Sequence, residues 1–222
     1  MINVFLTEFP ELGFGYDIKI TDENVSLNDY ITALDDFQEK YVAACRGCDG
    51  CCWERVPLGI VDYYWGAALF NGSYTICDWL KKVAAINDIA GGIDLYLKRG
   101  EDSACMFLDK EKKECKDHTA RPLVCRTHTC LPKSGVALEL RSAIVNMLED
   151  ELVRRLLMET QTGAMIKDSN WNEILEKANI EDYASNVLSS FILEDLKDNW
   201  RNVKIKDIVS VELWGQLFTI NN

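Results

Sequence analysis

Residues 45–52 read Cys45-Arg46-Gly47-Cys48-Asp49-Gly50-Cys51-Cys52, and residues 105–130 place Cys105, Cys115, Cys125 and Cys130 at spacings of nine, nine and four residues. Two residues between thiols let a tight turn aim both sulfurs at one metal, with backbone amides free to hydrogen-bond them. Gly47 and Gly50 sit inside such turns, where a positive φ is often needed. Adjacent Cys51 and Cys52 are harder to place on a single ion, because neighbouring side chains diverge. Four thiols early and four late fit either two four-thiolate sites or one larger shared cluster. The ninth cysteine, Cys77, stands alone within a helical pattern and reads as a buried, inert thiol.

Outward from these motifs, the chain of 222 residues reads as one domain, 1–222, with a cysteine-cluster metal-binding region at 45–130 and a helical part at 131–222. The apolar fraction of 48% argues for a substantial core. The formal net charge of -12 argues against nucleic acid, whose phosphates need clustered Lys and Arg. No run approaches about 18 consecutive apolar residues, so no membrane span is expected. Residues 1–20 have no basic n-region, and Glu8, Pro10 and Glu11 interrupt their apolar stretch, so they do not read as a signal peptide. The expected location is therefore the cytoplasm, where thiols stay reduced and a cysteine framework more often holds metal than disulfides.

The fold class expected is mainly α, with an irregular cysteine-rich metal-binding segment and a short N-terminal β-hairpin over 2–9 and 14–21. Ser26 followed by Asp29 opens a helix whose inner face carries Leu27, Tyr30, Ile31, Leu34, Phe37 and Tyr41. Residues 58–71 predict a buried helix with a single charge at Asp62. A further helix runs from Thr75 towards Gly91-Gly92, with Ile76, Trp79, Leu80 and Val83 inward. Residues 104–133 show no periodicity and contain Pro122 and Pro132, so something other than a regular ladder must hold them. Metal-binding free energy can act there as folding free energy. The longest helix follows Ser134, with Leu140, Ile144, Leu148, Leu152 and Leu156 as its stripe, the pairs Asp150–Arg154 and Glu151–Arg155, and a stop at Gly163. Helices at 169–179 and 181–201 are expected next, the second facing Tyr183, Val187, Phe191 and Trp200 inward. The tail at 203–220 is ambiguous between strand and helix.

The order of these residues carries a resemblance. Cys45–Cys52, the apolar stretch 56–69, Cys105 with Phe107 and Leu108, and Cys115 followed by Arg121, Pro122, Cys125 and Arg126 resemble the CxxCxxCC zinc- or iron-chelating cysteine-cluster family. Asp62 matches an aspartate typical of the helix after the first motif, and His118 stands where the family more often has tyrosine. That family is similar to the flagellin lysine N-methylases. The resemblance implies an iron–sulfur cluster, [4Fe-4S] in type, with zinc as the alternative, and methyl transfer from S-adenosylmethionine.

Thiolate-only ligation suits zinc and iron–sulfur alike, and the crowded first motif without a matching second knuckle favours iron–sulfur. The expected ligands are Cys45, Cys48, Cys51, Cys52, Cys105, Cys115, Cys125 and Cys130. Segment 105–133 carries seven Lys and Arg against four Asp and Glu, a local excess of cations beside thiolates. Arg121 and Arg126 are candidates to hydrogen-bond cluster sulfurs or a substrate anion, with Arg121 alternatively anchoring the loop to Asp62. His128, between Cys125 and Cys130, is a candidate ligand or proton donor, and His118 a surface residue. Asp62 is a candidate general base, against the plainer reading of a satisfied carboxylate. The first 44 residues hold two Lys against nine Asp and Glu, a face that could attract a basic peptide or protein substrate. No dinucleotide or phosphate-loop signature is present, nor is the CxxxCxxC spacing of radical S-adenosylmethionine enzymes. Three functions are therefore carried forward: a cluster enzyme (methyltransferase-like or oxidoreductase), an electron-transfer protein, and a zinc-stabilised interaction module.

Overall fold

The computed structural model describes residues 1–42, 47–69, 75–89, 92–116, 121–163, 166 and 168–219. In chain order these form β1 (Ile2–Phe9), β2 (Gly13–Ile20), α1 (Leu27–Tyr41), α2 (Ile60–Leu69), α3 (Ile76–Val83), β3 (Ala84–Ile89) and β4 (Gly92–Leu97). They continue with β5 (Leu108–Asp109), β6 (Glu114–Cys115), α4 (Leu123–Arg126), α5 (Gly135–Gln161), α6 (Ser169–Lys177), α7 (Leu193–Asn199) and α8 (Val211–Leu217). Helix dominates, and the strands form three separate antiparallel pairs, β1–β2, β3–β4 and β5–β6. No helix among the described residues is long and apolar enough to cross a membrane.

The chain divides into two compact units. The first comprises Met1–Ala44, Arg126–Met147 and Asn186–Asn222, and the second Cys45–Cys125 and Leu148–Ser185.

In the first unit the expected hairpin is present, in register from Ile2 opposite Ile20 to Phe9 opposite Gly13. Gly13 takes the positive φ that the turn requires, at 75°. Along β2 the two-residue pleat sends Tyr16, Ile18 and Ile20 into the core. α1 starts on a capping box, in which Ser26 Oγ accepts the Asp29 N–H and the Asp29 carboxylate accepts the Ser26 N–H. Its buried face is Leu27, Tyr30, Ile31, Leu34 and Phe37, while Tyr41, expected on the same face, is 40% exposed at the end of the helix. The C-terminal part closes this core by strand-like bonds, with the Leu27 N–H on the Val203 carbonyl and the Ile205 N–H on that of Val25.

The second unit is built on α2, α3, the β3–β4 hairpin and the later turns of α5. Segment 56–58 adds to β4, through the Leu58 N–H to the Leu95 carbonyl and the Leu97 N–H to that of Val56. Gly59 is required by a close approach, since a Cβ there would lie 2.7 Å from Leu148 Cβ. The Glu159 carboxylate accepts the N–H groups of Ile76 and Cys77, which satisfies two open donors at the start of α3. The expected Glu151–Arg155 pair forms at 2.6 Å, with Glu151 fully buried. Gly163 follows α5 at φ 97°.

Two expectations are corrected. The helix from Thr75 stops at Val83 instead of continuing towards Gly91-Gly92, and 84–89 and 92–97 pair as β3–β4. Ile86, Leu95 and Leu97 alternate inward, a period of two that outweighs helical continuation. The helix expected over 181–201 is broken into the 3-10 turns Ile180–Asp182 and Val187–Ser190, then α7 and the turn Trp200–Asn202. Asn179 and Asn186 use their side chains to cap new turns, a local bond that competes with helix propagation. Tyr183 and Trp200 are buried as expected, but Leu188 and Leu196 are buried in places the single-helix reading did not give them. The ambiguous tail resolves as a 3-10 turn at Ile205–Asp207 followed by α8.

Candidate metal centre

The second unit gathers the thiols. After Gly47, at φ 78°, the first motif winds into a 3-10 turn, Gly50–Trp53. The Cys52 N–H closes on the Asp49 carbonyl, and the Glu54 N–H on that of Cys51. Successive side chains in a three-residue turn point about 120° apart, so Cys51 is exposed while Cys52 is half-buried.

Backbone bonds tie the second motif to the first. The Cys105 N–H donates to the Cys52 carbonyl at 2.8 Å. The chain then turns tightly, with the Leu108 N–H on the Cys105 carbonyl and the Phe107 N–H directed at the Cys105 sulfur. An amide two residues past a cysteine, aimed at its sulfur, is the arrangement that stabilises a metal-bound thiolate. The β5–β6 hairpin sets Cys115 opposite Leu108, and Asp109 Oδ1 accepts the Glu111 and Lys112 N–H groups in its turn.

Cys125 lies on α4, which Asp62 holds in place. Asp62 Oδ2 accepts the Gly59 N–H at 2.9 Å, which caps α2. Its Oδ1 accepts the Leu123 N–H at 2.8 Å and so orders the start of the Arg121–Cys125 turn. This buried carboxylate links the helix after the first motif to the loop of the second. Burial pushes its pKa up to about 7, against the lowering effect of the two amides. Asp62 positions the site and is satisfied by main-chain donors.

The thiols feel one another. Burial pushes Cys52 up to about 12, aided by Cys51, Cys105 and Cys115. Burial also raises Cys105, with Cys115 and Cys51 adding to it, while the Phe107 amide and Arg99 act in the opposite sense. Cys125 is raised strongly, first by burial and then by Asp62, Cys51 and Cys105, with Arg121 opposing. Cys52, Cys105 and Cys125, drawn from both motifs, thus lie in partly dry surroundings, and charge on neighbouring thiols disfavours their ionisation. A multivalent cation removes that conflict, so the donor set fits a thiolate-bound metal or cluster. Among the described residues, no three His, Cys, Asp or Glu side chains already stand around one ion position.

The other candidates are distributed as follows. Cys48 is exposed in the first motif. Cys130 and His128 belong to the first unit, and both are exposed. Partial desolvation, then Arg141 and Lys133, hold the His128 imidazole below its ordinary pKa. Arg126 donates to Asp35 at 2.8 Å, and its carbonyl accepts from Gln38, so it is tied to α1 within the first unit. Arg121, by contrast, acts on Cys125. Cys77 is 2% exposed on α3, with its thiol beside Glu159, in keeping with an inert core residue. Cys45 and His118 lie outside the described residues. Arg99, which bonds the Trp53 and Ser103 carbonyls and acts on Cys105, was not singled out by sequence reasoning. It lies just outside the basic segment, at a position that nothing in the spacing marks.

Cysteine thiols from two motifs, with a buried aspartate ordering the turn before Cys125, have the donor chemistry of a thiolate metal site. Residues 44–143 match the model of the CxxCxxCC family, described as "Putative zinc- or iron-chelating domain". No curated protein matches the chain. No solved structure matches it.

Proposed function

We propose that the second unit holds an iron–sulfur cluster, of [4Fe-4S] type, on thiols of both motifs, and that the protein modifies a peptide or small molecule beside it. The supporting observation is the convergence of Cys51, Cys52, Cys105, Cys115 and Cys125, pinned by the Cys105 amide on the Cys52 carbonyl. Cys45 and Cys48 of the first motif complete the proposed ligand set. When bound, the group would supply a redox-active or Lewis-acidic iron centre. The chain's own residues would hold and orient it: Asp62 fixes the Cys125 turn, Arg99 and Arg121 offset thiolate charge, and the Phe107 amide steadies the Cys105 sulfur.

Exposure favours chemistry over a purely structural role. Cys48 and Cys51 are exposed while Cys125 is turned inward, so one edge of the centre faces solution, where a substrate or redox partner could reach it. Methyl transfer from S-adenosylmethionine to a basic, lysine-bearing peptide is the reaction we assign, in a reducing, cytoplasmic setting. The acidic first 44 residues would attract such a partner.

Anaerobic purification tests this reading. A brown protein with iron and acid-labile sulfide in equal amounts is expected, its EPR spectrum perturbed by S-adenosylmethionine. A colourless protein carrying zinc would replace the cluster by a structural site. Iron without any response to S-adenosylmethionine or substrate would leave electron transfer.

A further inference from the structure

The two strands of the N-terminal hairpin differ in what meets their outer edges. On β2 the Tyr16 N–H donates to the Pro132 carbonyl at 2.9 Å, the Ser134 N–H to the Tyr16 carbonyl at 3.0 Å, and the Thr219 N–H to the Ile20 carbonyl at 2.9 Å. The chain itself therefore covers that edge. Residues 2–8 of β1, by contrast, make main-chain hydrogen bonds only to β2 among the described residues.

The alternation of an antiparallel ladder identifies the open groups. Tyr16 and Ile20 turn main-chain groups outward, so their cross-strand partners Leu6 and Ile2 do the same. The Thr21 N–H donates to the Met1 carbonyl at 2.8 Å, which sets the same phase from the other end. Ile2, Val4, Leu6 and Glu8 thus aim one N–H and one carbonyl each away from the hairpin, while Asn3, Phe5 and Thr7 bond to β2. An open edge is a template for another strand, and proteins commonly blunt it with Lys, Pro or a bulge. β1 reads INVFLTEF over eight residues in unbroken register, with Glu8 as its one charge and none of these devices. Leu6 on it is 39% exposed.

We propose that β1 pairs antiparallel with β1 of a second copy of this chain, about a two-fold axis at Phe5, to give a four-stranded sheet. A two-fold contact needs a surface that complements itself, and this edge does. With Phe5 opposite Phe5 of the second copy, Val4 meets Leu6 and Ile2 meets Glu8, so every open group faces an open group. The side chains agree with that register. Val4 and Leu6 share one face, and Asn3 and Thr7 stand opposite each other on the other. The two Glu8 carboxylates fall at opposite ends, roughly 20 Å apart at about 3.4 Å per residue, beyond a Debye length of about 8 Å. The proposal is independent of the metal reading.

The test is sedimentation of the full chain, purified anaerobically and kept reduced, over a concentration series with amide-resolved hydrogen exchange at each end. Salt of about 0.5 M screens the repulsion between copies of net charge -12. A monomer–dimer equilibrium is expected. In the dilute sample the Val4 and Leu6 amides should exchange freely while those of Phe5 and Thr7 are protected, and in the concentrated sample all four should be protected. Leu6→Pro removes an outward donor and leaves the β1–β2 bonds in place. It should weaken the dimer at least tenfold, because symmetry removes two bonds. Leu6→Lys keeps the N–H and sets two ammonium groups on diagonal neighbours, so it should weaken the dimer as well. A monomer at every concentration would overturn the proposal, as would a dimer whose Val4 and Leu6 amides stay open or one that both variants leave unchanged. Protection of Val4 and Leu6 in the monomer would also overturn it, since another part of the chain would then cover the edge.

Discussion

The N-terminal hairpin and helix, residues 2–41, and the cysteine segment, residues 98–116 and 121–126, are held by opposite means. The first has a complete strand ladder, a capping box and a continuous apolar face, each repeating a sequence period. The second has a two-residue ladder, a four-residue helix, side-chain caps and single backbone bonds. Local pattern accounts for the first. In the second the ordering groups are Asp62 and the thiols, so a bound ion should supply much of its stability.

Metal removal should separate the two regions most strongly. Structural thiolate sites contribute on the order of 10 kcal/mol. Chelation should therefore abolish hydrogen-exchange protection in 98–116 and 121–126 while leaving β1, β2 and α1 protected. Equal loss in both regions would break the contrast.

Asp62→Ala comes next. It leaves two buried amides without acceptors, at a cost of about 2–4 kcal/mol. Denaturant unfolding should show that loss, and elemental analysis should show less metal, even though Asp62 is not a ligand.

The same carboxylate carries a pH dependence. Its native pKa, raised to about 7 from an ordinary 3.8, means the native state binds more protons than the unfolded state between those values. Its contribution is therefore complete below the ordinary value and is lost as pH rises towards about 7. Unfolding of the parent and of Asp62→Asn, with metal content checked at each pH, should show this downward slope in the parent alone.

Ser26→Ala is the smallest change. Loss of the α1 cap should cost about 1 kcal/mol with metal content unchanged. A fall in metal would link the regions in a way that the present contrast denies.

Regular periods made the hairpin, α1 and α5 legible, because hydrophobic spacing and caps are local signals. The break of 181–201 was hidden because Asn186 and Ser189 cap a turn inside a sequence of ordinary helical polarity. The β3–β4 hairpin was hidden because Ala84 and Ala85 extend the preceding helix pattern smoothly. At the site, spacing marked the thiols and Asp62, whose satisfied reading matches its two amide bonds. It could not distinguish Arg121, which acts on Cys125, from Arg126, which pairs with Asp35 ninety-one residues away in sequence.

The central claim is that thiols of both motifs hold one metal centre. X-ray absorption at the metal edge of anaerobically purified parent, Cys52→Ala, Cys125→Ala and Cys77→Ala proteins tests it most directly. The account predicts a sulfur-only ligand shell in the parent, metal depleted in the Cys52 and Cys125 variants, and no change in the Cys77 variant. Unchanged metal in Cys52→Ala and Cys125→Ala, or a shell of oxygen and nitrogen, would contradict it.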